Sequence, residues 1–308
     1  MPRLTCVIPV FNEEGTIPEL YRRLSEAMRK DFPDFELEII FIDDGSKDRS
    51  VESILSLRVQ DPRVKLVQFS RNFGHHVAIS AGLDYATGDY VVMMDGDLQD
   101  QPEEIIKLYR KLQEGNDVVY GERIEKKFSL AKRLNSAIFL SVLRRLINEP
   151  ITINTTIFRI MTKQVVDATK LLRERNRYVV GVIGWVGFKH AAQSVEHGER
   201  YAGVTKYRLK HQIALAMNAA LSYSTYALTL ITRIGFLFVL IAVLASSWIV
   251  YRKFAYGTSA AGWTSIAIAV LGVGGIQIIV LGVIGEYVGR NYMEDKNRPL
   301  YIVRNVYD

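Results

Sequence analysis

The chain has 308 residues and carries 39 Lys and Arg against 33 Asp and Glu, a formal charge of +6. That length accommodates one large domain with an appendage or two ordinary domains, and the positive balance suits anionic headgroups, phosphorylated substrates or nucleic acid. Nucleic acid is set aside because the basic residues cluster near apolar helices and follow no nucleic-acid-binding motif; the single cysteine, Cys6, excludes an intrachain disulfide.

The apolar residues, 49% of the chain, are unevenly spread. Most charges precede Lys210, and residues 227–284 are strongly apolar, so a soluble part followed by a membrane part is expected. The first ten residues lack the apolar core of a signal peptide, so the soluble part is expected on the cytoplasmic side. Residues 4–10 read as a buried strand, with Cys6 a small core residue. Residues 15–30 follow as a helix, with Ile17, Leu20, Leu24 and Met28 on one face. Strands are predicted at 37–42, 64–69, 90–94 and 118–120, and helices at 50–59 and 77–86, with Pro102 opening a further helix.

Alternation at this spacing predicts an α/β fold with a mostly parallel sheet covered on both faces. Ligands of such sheets sit beyond the carboxyl ends of the strands. Three acidic clusters fall there: Asn12-Glu13-Glu14, Asp43-Asp44 and Asp95-Gly96-Asp97. Asp95 and Asp97 at a strand end offer hard oxygens to one Mg2+ or Mn2+, and Gln99 adds a neutral oxygen. That is the equipment for neutralising the diphosphate of a nucleotide sugar. His75 and His76 lie at a helix start without carboxylate spacing and are not chosen as the base.

Residues 126–146 form a basic amphipathic pattern suited to a membrane surface, and 207–226 a second. Two apolar segments, about 234–251 and 263–284, predict a transmembrane hairpin within 227–285 that returns residues 286–308 to the cytoplasmic side. Gly272, Gly274, Gly275 and Gly282 offer surfaces for close helix packing.

The stretches Val7-Ile8-Pro9-Val10-Phe11-Asn12-Glu13-Glu14, Asp43-Asp44-Gly45-Ser46, Ser70-Arg71-Asn72-Phe73-Gly74-His75 and Asp95-Gly96-Asp97-Leu98-Gln99 together resemble the family 2 glycosyltransferases. Within that family the chain is similar to the polyisoprenyl-phosphate group, which includes bactoprenol glucosyltransferases and dolichol-phosphate mannose synthases. The resemblance covers about residues 4–210 and implies a GT-A, Rossmann-like domain over 1–210. It implies that Pro9, Phe11, Glu13, Asp43, Asp44, Asp95 and Gly96 bind the nucleotide sugar, and that Asp95, Asp97 and Gln99 hold the metal. Arg159, in Phe158-Arg159-Ile160-Met161, would lie with Asp95 and Asp97 at the reacting centre. Arg123, Arg133, Ser136, Arg200 and Lys206 would meet the acceptor phosphate. Many relatives carry an acid just before the Phe-Arg pair, whereas this chain reads Asn154-Thr155-Thr156-Ile157, leaving Asn154 at that part of the centre.

The activity this implies is inverting transfer of a hexose to a polyisoprenyl phosphate such as undecaprenyl phosphate. UDP-glucose is the preferred donor, with GDP-mannose and a UDP-N-acetylglucosamine-type donor as alternatives. A multi-pass protein of the bacterial inner membrane, tetrameric by resemblance, is expected. A nucleotide-sugar-binding scaffold without turnover is the non-enzyme alternative. A processive polysaccharide synthase is disfavoured because no Gln-x-x-Arg-Trp signature is present.

Overall fold

Every residue of β1 (Arg3–Val10) after the first is buried, which is why it reads as a continuous apolar run: a central parallel strand is covered on both faces. It pairs in parallel with β2 (Glu36–Asp43) on one side and β4 (Tyr90–Met93) on the other, and β3 (Val64–Phe69) extends the parallel set beyond β2. In the computed structural model, residues 1–123, 156–175, 178–198 and 262–308 are described, with isolated positions between 235 and 255.

The period of two along the strands divides the core. Leu4, Cys6, Ile8 and Val10 face one layer with Ile39 and Phe41, against α1 (Ile17–Asp31), α2 (Ser50–Gln60) and α4 (Ile105–Gln113). Val7, Ile40 and Ile42 face the other layer, against α3 (His75–Tyr85), α5 (Lys163–Leu171) and α6 (Val179–Trp185). Burial pushes the Cys6 thiol up to about 12, so it stays protonated as a core side chain.

The complete sheet has eight strands in the order β7-β5-β6-β4-β1-β2-β3-β8. β5 (Val118–Arg123) pairs in parallel with β7 (His190–Val195), while β6 (Arg159–Thr162) runs antiparallel to both β4 and β5. β8 (Val303–Tyr307) is antiparallel to β3. The mostly parallel α/β sheet is therefore present, with antiparallel insertions that the sequence did not announce. β6 spans only four residues, and β7 and β8 are partly exposed and rich in polar residues. The helix expected from residue 77 starts two residues earlier, at His75, because Gly74 turns into it with φ +104°.

Residues Met1–Arg144, Glu149–Ala214 and Pro299–Asp308 form one compact unit, and Arg145–Asn148 with Leu215–Arg298 another. Within the first, Val303–Tyr307 of the C-terminal segment joins the sheet. Tyr301 stacks on Phe69 with ring centroids 5.0 Å apart and donates its hydroxyl to Asp84 at 2.8 Å. The segment 286–308, read from sequence as a tail, thus contains both the end of a helix and an edge strand.

In the second unit, α7 (Trp263–Asp295) continues eleven residues past the expected end at 284, supported by an i,i+4 ion pair between Glu286 and Arg290. Its 33 residues extend about 50 Å at 1.5 Å per residue, more than the roughly 30 Å hydrocarbon core. Among the described residues, one helix is long and apolar enough to cross a membrane, by length and composition alone, and none of its apolar window is buried. The two-helix hairpin is not shown, because most of 234–251 lies outside the described residues. The positions that are described there, including Leu240, Leu244 and Trp248, are helical and exposed. The amphipathic stretches 126–146 and 207–226 also lie outside the described residues.

Close packing of α3 on the sheet depends on Gly82, where an added Cβ would come within 2.1 Å of Val7 Cγ1. Gly82→Ala is expected to cost about 1–3 kcal/mol by overpacking, read as a lower denaturant midpoint at unchanged slope.

Candidate active site

The carboxyl ends of β1 and β2 are sewn together by reciprocal hydrogen bonds. Asn12, with φ 57°, donates its amide to Ser46 Oγ at 3.0 Å, and the Lys47 amide returns a bond to Asn12 Oδ1 at 2.8 Å. An asparagine tolerates this left-handed conformation better than most residues. The Glu13 amide donates to Ser50 Oγ, and the Glu14 amide donates to Asp48. Glu13 also starts α1: its carbonyl accepts the Thr16 and Ile17 amides, and its carboxylate accepts the Thr16 hydroxyl at 3.3 Å.

Asp44 is buried and ties this pair of loops to the one after β3. Its carboxylate accepts the Phe73 amide at 2.6 Å, the Gly74 amide at 3.0 Å and the Asn72 side-chain amide at 2.9 Å. Burial raises its pKa and the amide bonds oppose that rise. Gly45 makes the approach feasible, since a Cβ there would lie 2.6 Å from the Arg71 carbonyl carbon. Asp43 is fully buried beside it. Its Oδ1 accepts the Ser46 amide at 3.1 Å, while Oδ2 is buried with no hydrogen-bond partner among the described residues. Burial raises the pKa of Asp43 as well. A buried acceptor left unsatisfied is costly, which sets this oxygen apart from those of Asp44.

After β4 the chain forms a tight acidic loop. The Asp95 amide reaches Asp100 Oδ2 at 3.4 Å, Asp97 Oδ1 accepts the Gln99 amide at 3.1 Å, and Leu98 adopts φ 63°. Asp97 and Asp100 are buried. Gly96 sits against β1, where a Cβ would be 3.2 Å from the Pro9 carbonyl oxygen. Two further segments close on the loop: His75 Nε2 lies 3.3 Å from Asp95 Oδ1, and the Gly198 amide donates to the Gln99 carbonyl at 3.0 Å. His197 Nδ1 is 3.7 Å from Asp100 Oδ1. No group of three His, Cys, Asp or Glu side chains forms a metal cage among the described residues. Two carboxylates and an amide oxygen nevertheless fit a hard cation that keeps phosphate and water as its other ligands.

Arg159 begins β6 opposite Met93, which brings it to the same rim. It is 2% exposed and donates to the carbonyls of Thr156 at 2.8 Å and Ile157 at 3.3 Å. Burial lowers its pKa to about 10, so it remains a cation at neutral pH. Burial, then the nearby His75 and Arg159, pushes His76 down to about 4, leaving it neutral. Its ring meets that of Tyr178 edge-on at 5.1 Å.

Pro9, Asp43, Asp44, Asp95, Gly96, Asp97, Gln99 and Arg159 therefore gather where β1, β2 and β4 end and β6 begins, with Phe11 and Glu13 part-buried in the adjoining loop. Arg123 is the last residue of β5, opposite Val195. Arg133, Ser136, Asn154, Arg200 and Lys206 lie outside the described residues. Sequence reading passed over the contact of His75 with Asp95 and the seat of His197-Gly198 on the acidic loop. Twenty and about a hundred residues separate these partners, and no local spacing announces them.

Residues 5–169 match the family described as Glycosyl transferase family 2. The chain is similar to the uncharacterized glycosyltransferase YkcC of Bacillus subtilis, 42% identical over 98% of this chain and 94% of that protein. It is similar to the prophage bactoprenol glucosyl transferase homolog of Escherichia coli, 38% identical over 99% of each. The bactoprenol glucosyl transferase of Shigella phage SfV is 38% identical over 98% of each. With a match across more than half its length and relatives that align end to end, this chain belongs to glycosyl transferase family 2.

Proposed function

We propose that the protein transfers glucose from UDP-glucose to a polyisoprenyl phosphate at the membrane surface, with inversion at the anomeric carbon. The observation that carries this reading is the acidic loop at residues 95–100, held against the ends of β1 and β2 beside the buried Asp43 and Asp44. Full-length relatives named bactoprenol glucosyl transferase support the acceptor class and the sugar. The exposed apolar helix α7 supports a membrane location.

Asp43 Oδ2, which has no hydrogen-bond partner among the described residues, is the acceptor we assign to a donor group of the nucleotide base.

In the proposed reaction an acceptor phosphate oxygen forms a bond to the anomeric carbon as the bond from that carbon to the diphosphate oxygen breaks, releasing UDP. A phosphate monoester has its second pKa near about 6, so the nucleophile is already ionised at neutral pH. Positioning and charge balance then matter more than proton removal, which accommodates Asn154 where relatives carry an acid. Mg2+ or Mn2+ held by Asp95, Asp97 and Gln99 would supply charge neutralisation of the departing diphosphate. Arg159, a buried cation at the rim, adds fixed positive potential. Arg123, Arg133, Ser136, Arg200 and Lys206 are proposed to orient the acceptor phosphate, with the stretches 126–146 and 207–226 on the headgroup plane, 234–251 as the companion span to α7, and a tetramer as the assembly.

Incubating the full-length protein with undecaprenyl phosphate and radiolabelled UDP-glucose, GDP-mannose or UDP-N-acetylglucosamine tests the reading. A mild-acid-labile labelled lipid is expected from UDP-glucose; label from another donor corrects the sugar, and label from none supports a binding scaffold instead. Asp97→Ala and chelation by EDTA are each expected to lower transfer by at least about a hundredfold, with Mn2+ reversing only the second. Asp43→Asn, which offers an amide in place of one acceptor oxygen, should raise KM for UDP-glucose about tenfold while leaving kcat within about threefold.

A further inference from the structure

We infer that His75 is a positioning residue for Asp95, fixing that carboxylate for the divalent cation and nucleoside diphosphate. This rests on the proposed reading of the acidic loop as the donor site. His75 Nε2 stands 3.3 Å from Asp95 Oδ1; both side chains are about one-third exposed, while the contacting carboxylate oxygen is itself buried.

The imidazole is held from two directions. Its backbone follows Gly74, whose amide is bound by the buried Asp44, and Gly74 gives the left-handed turn that begins α3. Its ring lies edge-on to His76 at 5.7 Å, and His76 in turn lies edge-on to Tyr178 at 5.1 Å. Asp95 is fixed at its backbone by the amide contact with Asp100. A braced ring therefore meets a braced loop. The contact restricts the rotation of Asp95.

The arrangement makes His75 the link between two strand ends. Asp44, at the end of β2, holds the 72–74 loop, and the next residue reaches the first carboxylate after β4. Partners that orient a metal-binding side chain typically change affinity when removed, without abolishing the site. A glutamine keeps a donor N–H at similar reach, and an alanine keeps none.

The test titrates Mn2+ into the full-length protein with saturating UDP, following free Mn2+ by its electron paramagnetic resonance signal. His75→Ala is expected to weaken Mn2+ binding about tenfold, and His75→Gln to stay within about threefold of wild type. Unchanged thermal unfolding of both variants is expected, and transfer assays should show the loss in KM for the donor rather than in kcat. Mn2+ affinity of His75→Ala within about twofold of wild type overturns the inference, as does a glutamine variant as weak as the alanine. Should the wild-type protein bind no Mn2+ with UDP, the donor-site reading falls and this inference with it. Binding by wild type but not by Asp97→Ala keeps that reading whatever His75 does.

Discussion

One buried carboxylate holds the working end of this molecule together. Asp44 follows β2 directly and spends its oxygens on the backbone and side chain of residues 72–74. Without those bonds three amide donors and a desolvated anion would lack partners at the same place, each at a cost of roughly 1–3 kcal/mol. The bonds set the course of the chain from β3 into α3, and that course delivers His75 to Asp95. Gly45 belongs to the same constraint, because only a residue without Cβ lets the two loops approach so closely.

Around that clamp the rim separates charges by depth. Asp43 and Asp44 are buried and have raised pKa values, while the Asp95 side chain is about one-third exposed. Arg159 supplies a buried positive charge from the opposite side of β4. Its entry depends on β6 running backwards through the sheet: an antiparallel strand begins at the end where its parallel neighbours finish. Had β6 been parallel, its first residue would lie at the far pole from the acidic loops.

The C-terminal segment shows how covalent order and spatial order part company. The chain leaves the catalytic sheet, makes a long apolar helix, and returns to add β8 along β3. Ser70, the first residue after β3, donates its amide to the Ile302 carbonyl. The returning strand therefore borders the loop that Asp44 clamps, and it covers an edge that would otherwise expose a row of backbone groups.

The sequence by itself determined the parallel core and the members of the acidic rim. Continuous apolar runs such as 4–10 admit only a strand buried on both faces, and strand ends followed by Asn12-Glu13, Asp43-Asp44 and Asp95-Gly96-Asp97 must share one side of a parallel sheet. Local period and turn chemistry suffice for that much. Tertiary structure alone decided which of two buried carboxylates ties the loops together. Asp43 and Asp44 are adjacent and chemically identical, yet one keeps an unsatisfied oxygen and the other is wholly engaged by a loop nearly thirty residues away. It also decided that β6, β7 and β8 join the sheet, since short or half-polar strands acquire their order from neighbours rather than from their own apolar period. The pairing of His75 with Asp95 is of the same kind: two loops from different strands meet, and no linear pattern encodes the distance between them.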